Sequence, residues 1–384
     1  MNTLALLLAA IEIISPVGDD PVKLVTDHQK QVMAGETVAA RMETIEKNPK
    51  FKKLSWRESE PVVFKWRVTA GEGGTWQLEI GKQSDLSDAR REVFEHPHHK
   101  DGVYRYELPR ANLEVATRYY YRLTANLLCD RNSRHGRRCE CTDRRRPVAT
   151  DVLSFITEDQ TPRWIAIEGR VSNMRDLGGW KTVDGRRVKQ GILYRGQGLN
   201  DNSGDREVKG RNRLTVEDRQ YLTGTLGIKT DLDLRSKAET ADLETSPLGA
   251  DVKLVLNSSS AYGGIFSRRE KEVEARNFRL CNDPERLPLY FHCIAGADRT
   301  GALAYLLNGL LGVSRHDLET DWEMTFYPKN PHQPHHTTDE LYEGFMKFGE
   351  EGDPLSRRIE LYLKSAGVTD EEIAAFRARM LEDR

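Results

Sequence analysis

Cys293, Gly296 and Arg299 are the residues of this 384-residue chain whose types and spacing could do chemistry. They lie in FHCIAGADRTGALAYLLNGLL, residues 291–311. An apolar strand delivers the cysteine, a short loop containing the glycine follows, and Arg299-Thr300-Gly301 opens an apolar helix. Such a loop suits a phosphate: its backbone N–H groups and the helix N-terminus converge on an anion, and Arg299 can offer two donors in one fork. The same positive surroundings favour the thiolate of Cys293, and a thiolate inside an anion loop is arranged to attack phosphorus. C-x5-R spacing alone is weak, and the chain contains its own control. Cys139 and Arg145 share the spacing but have no apolar strand before them, no glycine between them and no helix after. That pair reads as chance. An inert cysteine at a strand end is the bland reading of Cys293, and the loop and helix that follow argue against it.

The elements that must position these residues come next. From about residue 164, short apolar runs alternate with helical patterns, an α/β signature. GIKTDLDLR (227–235) and LPLYFHC (287–293) read as strands entering a buried sheet. Thr215 with Asp218, and Thr369 with Glu372, are helix-start signals, the second followed by Ile373, Phe376 and Met380 on one face. EDQTPRW (158–164) reads as a linker. Upstream, after a polar helix-prone entry, five runs (61–68, 75–81, 103–108, 118–123 and 151–157) are short, aromatic and β-branched with period-two alternation. Strands at this spacing predict a sandwich.

Composition bounds the rest. Lys and Arg number 58 against 60 Asp and Glu, a balance that does not support a dedicated nucleic-acid binder. The length suggests about two domains, no internal run approaches the ~18 apolar residues of a spanning helix, and five cysteines are too few for a disulfide scaffold. Residues 3–11 are apolar with Ala9 and Ala10 at a plausible cleavage point. They lack a positive start and read either as a shortened secretory signal, which would make the protein secreted or periplasmic, or as a first strand or loose start, which would leave it cytoplasmic. Residues 127–147 hold seven arginines against three acids, with Cys129, Cys139 and Cys141. With only His135 nearby this is poor zinc spacing, and the segment reads as a solvated loop that one disulfide could pin if the protein is exported.

HCIAGADRTG is similar to the signature loop of the cysteine-dependent protein tyrosine phosphatases. NMRDLGGW (173–180), ILYRGQGL (192–199) and GIKTDLDLRSKAE (227–239) narrow the resemblance to the bacterial group whose loop carries Asp immediately before Arg. The resemblance implies Cys293 as nucleophile, Arg299 as holder of the equatorial oxygens, and Asp298 as general acid with Asp233 as its rival. Ile294, Ala295, Gly296, Ala297, Asp298, Arg299 and Thr300 would bind the phosphate, and Thr300 could hydrogen-bond the sulfur as it leaves. His292 would orient the loop, or be a satisfied strand-end histidine. Arg175, Asp176 and Arg195 would brace the loop. Many relatives carry Lys at the place of Ala297, a lysine associated with phosphoinositide turnover, so its absence favours phosphotyrosine-type esters. LEVATRYYYRL, with Leu113, Thr117, Tyr119 and Tyr121, resembles the late-strand signature of fibronectin type III domains.

The expectation is therefore two domains. A fibronectin/Ig-like β-sandwich over 12–158 is followed by an α/β tyrosine phosphatase-like domain over 164–384. The expected enzyme is a phosphate monoester hydrolase acting on a phosphorylated protein or small ester, with no cofactor, metal, nucleic acid or transmembrane segment. The competing readings are an inositol polyphosphate or phosphoinositide phosphatase, and a non-catalytic binder of phosphorylated ligands.

Overall fold

The structure is a computed structural model that describes residues 11–47, 60–69, 74–128, 145–201, 210–240, 242–325 and 338–383. The apolar start (residues 1–10) and Cys129, Cys139 and Cys141 lie outside the described residues. The chain divides into two compact units, with the later boundary between Gln160 and Thr161.

Among the described residues, the first unit is built of strands. These are β1 (Ile11–Ser15), β2 (Val63–Val68), β3 (Trp76–Gly81), β4 (Arg90–Phe94), β5 (His98–Lys100), β6 (Val103–Glu107), β7 (Arg118–Leu128), β8 (Arg145–Ala149) and β9 (Leu153–Ile156). They make two antiparallel sheets, β1-β2-β6-β5 and β4-β3-β7-β8, with β9 also on β7. Aromatic alternation explains the packing. Phe64 and Trp66 point inward from β2 onto Tyr121 and Trp76, with ring centroids 5.0 and 4.9 Å apart, and all four rings are buried. Leu128 pairs with Arg145, so the arginine-rich segment joins neighbouring strands of one sheet.

The second unit contains a five-stranded sheet. Its strands are β10 (Arg175–Asp176), β11 (Leu193–Gln197), β12 (Thr230–Asp233), β13 (Lys253–Leu256) and β14 (Leu289–Cys293), ordered β10-β11-β14-β12-β13. β14 lies at the centre, parallel to both neighbours, and all five of its residues are buried, as a continuous apolar run in such a sheet should be. The helices are α1 (Asp27–Met33), α2 (Val38–Lys47), α3 (Val216–Gln220), α4 (Arg268–Asn282), α5 (Asp298–Leu311), α6 (Arg315–Glu323), α7 (Asp339–Met346), α8 (Leu355–Ser365) and α9 (Asp370–Met380). α5 is buried from Thr300 to Leu311, which is why it reads as apolar on every side. The expected capping boxes form at Thr215/Asp218 and Thr369/Glu372. No helix among the described residues is long and apolar enough to cross a membrane.

Two boundaries differ from the sequence expectation. Residues 25–47, expected within 12–158, belong to the second unit, because Val25, Val32, Met33 and Ile45 bury themselves with Trp164 and Met324. Arg163 and Trp164, expected in a linker, are core residues. Arg163 pairs with Asp176 at 2.8 Å, and Trp164 joins that same cluster.

Candidate active site

Cys293 ends the central strand β14, 2% exposed and outside any disulfide. Residues 294–297 then turn the chain into α5. Gly296 makes that turn possible. Its φ is +69°, and a Cβ there would collide with the Gly196 carbonyl of β11. Ala297 occupies the N-cap of α5 without a side-chain hydrogen bond, so the first N–H groups of the helix are left to an anion. The Thr300 hydroxyl, fully buried in the first turn, has no hydrogen-bond partner among the described residues.

The loop is held from behind by a buried cluster. Arg195 donates to the Gly296 carbonyl at 2.9 Å and to Asp321 Oδ2 at 2.6 Å. Arg175 donates to Asp321 Oδ1 at 2.8 Å and to the Asp321 carbonyl at 2.7 Å. Asn173 accepts from Arg175 and turns its own amide onto the carbonyls of Ala295 and Gly296, at 3.2 and 3.0 Å. Two guanidiniums thus share one carboxylate, leaving a net positive charge behind the loop. Burial and the neighbouring Arg175 push Arg195 down to about 10, against the pull of Asp321 and the Cys293 charge. Asp176, expected in this bracing set, is held by other partners. It accepts from Arg163 and from the Gly178 and Gly191 amides, which makes it a support of the 176–191 turn.

His292 faces acceptors on both sides: Asp231 Oδ1 at 2.8 Å from Nε2 and the Cys293 carbonyl at 3.2 Å from Nδ1. An imidazolium satisfies both. Burial works against the charge, but Asp233 and Asp231 prevail and raise its pKa. Asp233 is itself fully buried and takes a bidentate fork from Arg235, with contacts of 2.6–3.1 Å. Burial opposes its charge, but His292 and Arg235 hold its pKa below the ordinary value. It sits as a buried counter-ion to Arg235 and His292.

Asp298 opens α5, part-exposed, and its Oδ1 accepts from the Tyr262 hydroxyl. Burial first, and then Asp298, push the Tyr262 phenol far up, so it acts as a donor. Arg299 departs from the simple picture of a free fork. Its Nη1 and Nη2 each donate to a Glu239 oxygen at 2.8 Å, and this fork draws Glu239 down to about 2. The Nη end of the guanidinium is thus occupied by Glu239. Glu239, Asn173 and Asp231 stood inside the quoted motifs without a role, whereas Tyr262 and Asp321 carried no local signal at all.

The sequence pattern of the tyrosine phosphatase family matches residues 166–382, more than half of the chain, with Cys293, Asp298 and Arg299 inside it. The chain belongs to the tyrosine phosphatase family. A protein of Cupriavidus necator whose name places it among the tyrosine-protein phosphatases is 30% identical over 191 residues, 41% of this chain. The match covers 64% of that relative, less than two thirds of its length. A tyrosine-protein phosphatase of Nostoc commune is 27% identical over 44% of this chain and 71% of its own. Two solved structures of the Siw14 catalytic core, one titled as a PP-IP phosphatase from S. cerevisiae in complex with citrate, are 17% and 15% identical. They cover 44% and 49% of this chain and 88% and 86% of theirs, each with a TM-score of 0.28.

Proposed function

We propose that this family member is a phosphate monoester hydrolase, acting as a protein-tyrosine phosphatase through a cysteinyl-phosphate. The observation that carries the reading is Cys293 at the end of the central strand, beside the uncapped N-terminus of α5, in a loop braced by Arg195 and Asn173. The Cys293 thiolate attacks phosphorus as the ester bond breaks, and Asp298 delivers its proton to the departing oxygen. Water then attacks the phosphocysteine, Asp298 takes a proton from it, and the sulfur leaves as a thiolate with the Thr300 hydroxyl available to it. Arg299 steadies the equatorial oxygens in both steps.

Charge pairing favours phosphotyrosine-type esters over inositol polyphosphates. A ligand with several phosphates needs spare cations. Arg235 is matched to Asp233 and Arg299 to Glu239, the one charge by which Arg175 and Arg195 exceed Asp321 lies buried behind the loop, and Ala297 adds no charge. Purified protein assayed on phosphotyrosine peptides and on phosphoinositides tests this directly: catalytic efficiency should be higher on the peptides, and the reverse order refutes the substrate assignment. Absence of turnover on either class and on a chromogenic aryl phosphate refutes the enzyme itself and favours a phospho-ligand binder.

For the first unit we infer a fibronectin type III-like sandwich. The strand orders β1-β2-β6 and β4-β3-β7-β8 support it, as does the Tyr119 hydroxyl, which accepts from the Glu114 amide at 2.9 Å, a tie-back at the corner entering β7.

A further inference from the structure

Residues 25–47 come from the far side of the β-sheet unit in sequence, yet they pack into the family unit. Arg41, on α2, is fully buried. Its Nε and Nη2 both reach Glu323 Oε2 at 2.6 Å, and Nη1 donates to the Gly35 carbonyl at 2.6 Å and lies 3.4 Å from Thr320 Oγ1. The last turn of α6 and the two residues after it therefore have two faces. Thr320, Glu323 and Met324 face the N-terminal segment, through Arg41 and the apolar cluster of Val25, Val32, Met33 and Ile45. Asp321, Trp322 and Thr325 face the phosphate loop. Asp321 takes Arg175 and Arg195, and Trp322 packs against Gly301 of α5 and edge-on to Tyr262 at 5.8 Å. Thr325 receives Asn173 and Arg175 at 3.2 Å. A second route reaches the same arginine, because Trp164 in the apolar cluster carries Arg175 over its ring at 5.4 Å.

We infer that Arg41 is a positioning residue for the phosphate loop, fixing through Glu323 and α6 the Asp321–Arg195 bracket that holds Gly296. The inference rests on the phosphatase reading above. It places part of the support of the active site 125 residues or more upstream of the region that matches the family. Loop geometry is sensitive: misplacement of reacting groups by about 1 Å costs on the order of 100-fold in rate. The full-length protein should be compared with Arg41→Ala and Arg41→Lys, at a temperature where heat denaturation shows each to be folded. The readouts are kcat and KM on an aryl phosphate, and competitive inhibition by inorganic phosphate.

Arg41→Ala should lose about 10- to 100-fold in kcat/KM and bind phosphate more weakly. Arg41→Lys, which keeps the charge but not the fork, should fall between. Should Arg41→Ala fail to fold, Glu323→Gln breaks the same link at constant volume and should move kcat/KM and phosphate inhibition in the same direction. Variants with a lower melting temperature but wild-type kcat, KM and phosphate inhibition would reduce Arg41 to a fold-stabilising residue and overturn the inference. An inactive wild type overturns the phosphatase reading and this inference with it, whereas an active wild type beside unaffected variants overturns this inference alone.

Discussion

Cys293→Ser should reduce turnover to background while inorganic phosphate still binds, because a hydroxyl keeps the anion cradle but is a poor nucleophile at neutral pH. Steady-state kinetics alongside calorimetric phosphate binding check both halves. The acid is tested by leaving group. Asp298→Asn should cost about 100- to 10,000-fold on alkyl phosphates and far less on aryl esters with good leaving groups. Tyr262→Phe removes one hydrogen bond to that carboxylate. It should lower kcat on the same poor leaving groups about tenfold, with KM little changed. Near wild-type activity in Asp298→Asn, with loss in Asp233→Asn, would reverse the roles assigned to the two aspartates. At this scale the sequence was informative where chemistry is local. Cys293 to Thr300 are consecutive, and a loop between strand and helix announces itself by its glycine and its flanks. Tyr262 and Asp321 reach the same site from 31 residues before Cys293 and 28 after, through packing that no spacing rule encodes.

Among the elements, α4 carries the least expected group. Glu274 is 1% exposed, and burial, reinforced by Glu270 and only partly relieved by the Asn277 amide at 3.2 Å, raises it to about 8. Its other polar neighbours are the Cys281 thiol, pushed up by burial and then by Glu274, and the Tyr362 phenol, pushed up in the same way. Because the folded value lies above the ordinary 4.5, the native state binds the proton more tightly than the unfolded chain. The contribution to stability is full below the unfolded value and is lost as pH rises through the folded one. Urea midpoints should therefore fall between about pH 5 and pH 8 in the wild type. Glu274→Gln, which has the same shape and cannot ionise, should flatten that fall by on the order of a few kcal/mol. A wild-type profile parallel to that of the variant would show that another group titrates there. The helix itself was not foreseen, because its charged surface, RREKEVEARNFRLCN, masks a short apolar stripe. The strands β12 and β14 were foreseen, since GIKTDLDLR and LPLYFHC are short runs that read as strands entering a buried sheet.

For the whole molecule, the β-sheet unit interrupts the other unit in sequence, with residues 25–47 on one side and 161–383 on the other. A fragment beginning at residue 161 keeps Cys293, Asp298 and Arg299 but loses Arg41 and leaves Trp164 and Met324 uncovered. It should be less soluble and less active than a chain in which residues 60–160 are excised and residue 59 is joined to 161 by a flexible glycine-serine linker. Equal melting temperature and kcat/KM in the two would show that residues 25–47 are dispensable. The strand-built character of the first unit was legible because turn-separated aromatic runs advertise it. The discontinuity was not, since helix-prone residues say nothing about which partner they will cover. The interruption also sets an order of assembly on the ribosome. Residues 11–24 and 60–160 have all left the exit tunnel while the sequence of α6 is still untranslated, so the β unit can close early, as domains commonly do during synthesis. Residues 25–47 must then wait, their apolar side chains uncovered, until Glu323 and Met324 emerge. The first helices made are thus among the last to be buried, and they are the stretch of the nascent chain most in need of protection.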